Sequence, residues 1–129
     1  MSNVLIVDDD LVNTQLYAYK MQGEGHMVEL VTNGSDAQIK LGSKFDLVIL
    51  DVMIPGIDGL SLLQEMRKGV NKNTPAIIFT NLVSDETKKQ ANALGATKIL
   101  YKVDTSPDQL MASVREYLGT TPQTAHAKL

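Results

Sequence analysis

Four short apolar runs each end in a residue that can handle a phosphate or a hard cation. Val4-Leu5-Ile6-Val7 runs into Asp8, Asp9 and Asp10; Leu47-Val48-Ile49-Leu50 into Asp51; Ala76-Ile77-Ile78-Phe79 into Thr80; Ile99-Leu100-Tyr101 into Lys102. Carboxylates gathered at one place disfavour each other's ionisation, and a divalent cation relieves that repulsion. Oxygen ligands without His or Cys nearby suit Mg²⁺, which keeps several waters and leaves room for a phosphate oxygen. A lysine pairs with phosphate as a point charge, and a hydroxyl donates to a phosphate oxygen. Two carboxylates for a metal, one for attack, one ammonium and one hydroxyl together make the parts of a phosphoryl-transfer site. Taken singly, a strand-end threonine or an exposed lysine means little. Asp10 is read as a helix-start acid, favoured by the positive end of the helix.

Those residues converge only if the runs are neighbouring parallel strands. The runs are short, rich in β-branched residues and bounded by turn residues, as strands buried on both faces should be. A further run, Val28-Glu29-Leu30-Val31, brings nothing reactive at its end and suits a sheet edge. Helical stretches fill the intervals. The first covers about residues 11–22, ends near Gly23 or Gly25, and is expected to turn Val12, Leu16 and Tyr19 inward. The second opens at Asn33-Gly34 with Ala37 and Leu41 inward, and the third follows Gly59 with Leu60, Leu63 and Met66 inward. The fourth starts after Ser84 and stops at Gly95. The fifth starts at Ser106-Pro107, with Leu110, Val114 and Tyr117 on its apolar stripe. Five alternations predict a doubly wound parallel α/β sheet in three layers, with ligands outside the carboxyl ends of the strands. One domain over residues 1–118 is expected, with a polar, aperiodic tail at 119–129.

Composition narrows the function classes. The chain has 129 residues, no cysteine and a net charge of −3. Thiolate metal sites, thiol catalysis and disulfides are excluded. No broad basic surface points to nucleic acid. No run approaches the roughly 20 apolar residues of a membrane helix, and no secretory leader opens the chain. A cytoplasmic protein without direct nucleic-acid or membrane contact is the expectation.

At this point the sequence resembles the receiver domain of two-component response regulators, over about residues 3–118. The carriers are Val7-Asp8-Asp9-Asp10, Asp46-Leu47-Val48-Ile49-Leu50-Asp51, Met53-Ile54-Pro55-Gly56-Ile57-Asp58-Gly59, Phe79-Thr80, Leu94-Gly95-Ala96 and Lys102. The resemblance implies a flavodoxin-like fold with strand order 2-1-3-4-5. It implies Asp51 as phosphoacceptor, with Mg²⁺ held by Asp9, Asp8, Asp51 and the backbone carbonyl of Met53. Thr80 would contact the attached phosphoryl group, and Lys102 would pair with Asp51 before transfer and with phosphoryl oxygens after it. The donor would be a sensor histidine kinase or a histidine phosphotransfer protein. The output surface would be formed by the fourth helix, fifth strand and fifth helix. The chain would catalyse only its own phosphorylation and dephosphorylation.

Three positions depart from the family pattern. Val103 stands where proline usually follows the lysine, often across a cis bond, so the sequence leaves the isomer of the Lys102–Val103 peptide and the placement of Lys102 open. Ile99 replaces the usual switching aromatic, and Asn81 replaces a small residue after Thr80. These departures keep open a phosphorylation-independent interaction module. Met53 and Leu82, each two residues past a site residue, cannot orient a water, so a long-lived phosphoryl group is expected. An aspartyl-phosphate phosphatase would want an aspartate at Met53, and a flavin carrier would be repelled by Asp8 to Asp10. A helix-turn-helix regulator would require a further domain beyond the expected one.

Overall fold

The computed structural model describes residues 2–82 and 84–119, so the expected tail is outside the described residues but for Gly119. The elements run β1 (Asn3–Val7), α1 (Leu11–Gly23), β2 (Met27–Val31), α2 (Gly34–Lys40), β3 (Leu47–Leu50), α3 (Gly59–Met66), β4 (Ala76–Thr80), α4 (Asp85–Ala93), β5 (Lys98–Tyr101) and α5 (Pro107–Leu118). A 3-10 turn, Lys102–Asp104, joins β5 to α5. The five strands form one parallel sheet in the order β2-β1-β3-β4-β5. No described helix is long and apolar enough to cross a membrane.

Side-chain alternation splits the core between the two sheet faces. Val4, Ile6, Leu47, Ile49, Ile77 and Phe79 pack with Met21 of α1 and with Leu110, Met111 and Val114 of α5. Leu5, Val7, Val48, Leu50, Ala76 and Ile78 face the other way, onto Ala37, Leu62, Leu63, Met66 and Ala91 of the remaining helices. β1, β3 and β4 are buried almost throughout, whereas the edge strands β2 and β5 are half-covered.

Helix starts follow local chemistry. Asn33, Asp58, Ser84 and Ser106 each accept a backbone N–H from the first turn of the helix they open. Ser106 and Gln109 complete a reciprocal capping box with Pro107 at the first position. Gly25 and Gly95 take positive φ just beyond α1 and α4.

The inward face of α1 differs from the periodicity reading. Val12 and Tyr19 are 80% and 75% exposed, and Leu16 is exposed too. The buried positions are Thr14, Ala18 and Met21. Asp10 sets this phase: its side chain caps α1 through the Asn13 N–H, and its carbonyl accepts the Thr14 hydroxyl at 2.8 Å. Small residues then face the sheet and let the helix approach closely, while the larger apolar stripe is left outside. In α3, Leu62 is fully buried together with Leu63 and Met66, and Leu60 is only half-buried at the edge of that cluster.

Two side chains tie the far end of the sheet together. The buried Asn71 amide accepts the Phe45 N–H and donates to the Leu41 and Ser43 carbonyls. Arg67 donates to the carbonyls of Gly95, Asn71, Lys72 and Thr74, which joins the end of α4 to the loop before β4.

The loop after β3 is shaped by glycine for two different reasons. Gly56 has φ of +82°, a conformation that favours glycine. Gly59 has ordinary φ but lies so close to β3 that a Cβ would sit 2.2 Å from the Asp51 carbonyl oxygen. Gly59→Ala is therefore expected to cost about 2–3 kcal/mol by overpacking against backbone. Urea unfolding measures it, and a loss below about 0.5 kcal/mol, the ordinary surface level, contradicts the close approach.

Candidate functional site

Parallel register builds the site. Val7 lies opposite Leu50, so the residues that follow, Asp8 and Asp51, leave the sheet side by side. The Asp8 N–H donates to the Val31 carbonyl and the Asp51 N–H to the Val7 carbonyl, carrying the ladder one step further. Alternation turns Asp8 and Asp51 to the same face as Ile6, Ile49 and Phe79. Both are buried, while Asp9 is exposed at the rim. Carboxylate oxygens of Asp8, Asp9 and Asp51 lie within 4.8 Å of one another, a donor set of hard oxygens that suits a divalent cation.

Lys102 enters from the 3-10 turn after β5. Its Nζ is 2.6 Å from Asp8 Oδ2 and 2.9 Å from Asp51 Oδ2. The side chains of Asp8 and Lys102 are 3% and 16% exposed, so the contact is shielded from water. The ammonium also lies over the Phe79 ring, 5.7 Å from its centroid. The Lys102–Val103 peptide is trans, which decides the isomer the sequence had left open, and no described peptide bond is cis. Lys102 is nonetheless in the cleft, with its Nζ on the two acids that follow β1 and β3.

The second carboxylate oxygens are held by backbone. Asp8 Oδ1 accepts the Asp10 N–H at 2.9 Å, and Asp51 Oδ1 accepts the Met53 N–H at 3.0 Å. Each buried acid thus offers one oxygen to its own loop and one to Lys102. Burial raises the Asp8 carboxyl pKa above 3.8, against the lowering pull of Lys102 and the Asp10 N–H. Burial alone would lower Lys102, but its hydrogen bonds to Asp8 and Asp51 outweigh that and keep the ammonium above 10.5.

Thr80 ends β4 and is buried. Following Phe79, it turns to the opposite sheet face, and its hydroxyl accepts the Leu82 N–H at 3.2 Å. Lys102 thus contacts Asp8 and Asp51, Asp9 has a carboxylate oxygen within 4.8 Å of both acids, and Thr80 is engaged with its own loop. Asp10 caps α1 and stands outside the cluster. Met53 follows Asp51 with its side chain half exposed. Periodicity offered no signal for the Phe79 ring against Lys102, since an aromatic in a buried strand reads as ordinary core.

Lys102→Met would leave Asp8 and Asp51 without their counter-charge, at a cost on the order of 2–3 kcal/mol near neutral pH without divalent cations. The folded-state pKa of Asp8 lies above its unfolded value of 3.8. The folded protein therefore binds this proton at higher pH than the unfolded chain does, and gains relative stability as pH falls through that window. Loss of the ammonium raises the pKa further, so the variant's deficit is expected to shrink between about pH 7 and about pH 5 in urea unfolding. An equal deficit at both values contradicts this charge balance.

Comparison with known proteins agrees with the geometry. The family model for the response regulator receiver domain matches residues 4–115. A CpxR homolog from Haemophilus influenzae, a transcriptional regulatory protein, is 38% identical over 79% of this chain and 44% of its own length. The transcriptional regulatory protein ZraR of Salmonella typhimurium is 33% identical over 95% of this chain and 27% of its own length. The chain thus spans half or less of these curated relatives. Among solved structures, the chemotaxis protein CheY4 of Vibrio cholerae superimposes with a TM-score of 0.82 at 31% identity, covering 91% of this chain and 98% of that one. The receiver domain of the Francisella response regulator 1452 gives 0.81 at 32% identity, covering 91% and 96%. Fold, strand-end acids and family match agree, and the chain belongs to the response regulator receiver domains of two-component systems.

Proposed function

We propose that this chain is a cytoplasmic phosphoacceptor receiver that takes a phosphoryl group from a phosphohistidine onto Asp51 and thereby switches partner binding. The observation that carries the reading is Lys102 Nζ within 3 Å of both Asp8 and Asp51 while Asp9 stands at the rim of the same cleft. Three carboxylates against one ammonium leave an excess of negative charge that would oppose an incoming phosphate. Asp8, Asp9, Asp51 and the Met53 carbonyl are the groups that would hold Mg²⁺. When bound, Mg²⁺ supplies charge neutralisation for the transferred oxygens.

Asp51 Oδ2 attacks phosphorus, the new O–P bond forms as the P–N bond breaks, and the imidazole leaves. Asp51 Oδ1 stays fixed by the Met53 N–H, which limits rotation of the carboxylate during attack. The Lys102 ammonium follows the phosphoryl oxygens while retaining Asp8. Thr80 gives up its contact with the Leu82 N–H and donates its hydroxyl to a phosphoryl oxygen, drawing in the loop that leads to α4. The face of α4, β5 and α5 would read out that shift; a cavity of about 330 Å³ lined by Ile99, Tyr101, Thr105 and Gln109 lies on it.

The exposed stripe of α1 supports a protein donor. Leu11, Val12, Leu16 and Tyr19 form an apolar strip that begins beside Asp10 at the mouth of the cleft. A helical partner laid along it would present a histidine to Asp51.

Acetyl phosphate with Mg²⁺ is expected to give one phosphoryl adduct by intact mass, absent with EDTA and in Asp51→Asn. The adduct should persist for minutes after the donor is removed, because Met53 and Leu82 orient no water. Persistence of the adduct in Asp51→Asn, or its loss within seconds, contradicts the respective point. Val12→Asp with Tyr19→Asp should slow transfer from a phosphorylated histidine phosphotransfer domain by about tenfold or more and leave the acetyl phosphate rate unchanged.

A further inference from the structure

The Lys102 side chain is a flexible four-carbon stem carrying a compact charge. Two of its three N–H donors are directed at Asp8 and Asp51. Both acids change their demands during transfer, because Asp51 loses a free oxygen and the ammonium must follow the phosphoryl group. The turn that carries Lys102 supplies little anchorage, since Val103 is exposed and Tyr101 is only half-covered.

Phe79 supplies a contact that does not change. Its ring is 2% exposed and belongs to the core between the sheet, α1 and α5. The ring centroid is 5.7 Å from Lys102 Nζ, within range for attraction between an ammonium and an aromatic face. Tyr17 of α1 meets that ring edge to face, with centroids 5.6 Å apart and planes at 74°. Burial raises the Tyr17 hydroxyl pKa, with lesser effects from the charges of Lys102, Asp10 and Asp8. An aromatic face holds a cation without occupying an N–H, which leaves all three donors for carboxylate and phosphoryl oxygens.

We propose that Phe79, braced by Tyr17, is a positioning residue for phosphoryl transfer that keeps the Lys102 ammonium over Asp51 while its oxygen partners change. The proposal rests on the phosphoacceptor reading above, and the test separates the two.

Phe79→Leu alone would leave a cavity, so the ring is replaced by para-fluoro-, trifluoro- and pentafluorophenylalanine, which withdraw charge from the face at little change in size. Phosphorylation by acetyl phosphate is expected to slow in that order, by about three- to tenfold across the series, with little change in the urea midpoint. Tyr17→Leu should slow it less, in the same direction. A rate that ignores fluorination, or that falls only in proportion to stability, overturns the proposal. The fluorine resonance of para-fluorophenylalanine at position 79 reads the contact independently and is expected to shift in Lys102→Met. An unmoved resonance overturns the proposal whatever the transfer rates. A wild-type chain that accepts no phosphoryl group sinks the functional reading, and the resonance then decides the contact by itself.

Discussion

One ammonium shared by two buried carboxylates organises this molecule. Lys102 meets Asp8 and Asp51 together because β1 and β3 are paired in register and end at the same level. Neither acid could be buried ionised in isolation without a large desolvation cost, and the lysine offsets much of it. The offset is incomplete, since Asp8 still has a raised pKa and Asp9 adds a further charge at the rim. A cleft left short of positive charge is suited to receive a divalent cation together with a phosphoryl group.

Elements far from the cleft serve this arrangement. Gly59 lets α3 start against the Asp51 carbonyl, which fixes the loop whose Met53 N–H holds Asp51 Oδ1. Arg67 and Asn71 lock the opposite end of the sheet by hydrogen bonds to carbonyls before β4 and after α4, and to the Leu41 carbonyl between α2 and β3. The rigid end and the charged end are thus on opposite sides of a sheet whose central strands are almost fully buried.

The strand-end chemistry was legible because it depends on features local in sequence: a β-branched run, then a reactive residue, repeated at spacings that only parallel pairing brings together. Asp8, Asp9, Asp51 and Lys102 followed from that rule. Helix caps at Ser84 and Ser106 were legible for a similar reason, since a cap satisfies donors within its own first turn. The phase of α1 was not. Val12, Leu16 and Tyr19 recur with helical period as a core stripe would, but the period cannot say which face meets the sheet. That choice was made by the Asp10 cap and by the small side chains of Thr14 and Ala18. The Phe79–Lys102 contact and the Arg67 hydrogen bonds were also hidden, because each joins residues whose proximity exists only after the sheet forms.

The central claim is that the cleft is a hard-oxygen site short of positive charge, and Mg²⁺ titration followed by calorimetry tests it most directly. One Mg²⁺ per chain is expected, with binding weakened by about tenfold or more in Asp9→Asn, a first-ligand loss that leaves the buried Asp8–Lys102–Asp51 contact in place. Absence of Mg²⁺ binding, or binding that Asp9→Asn leaves unchanged, would contradict the account.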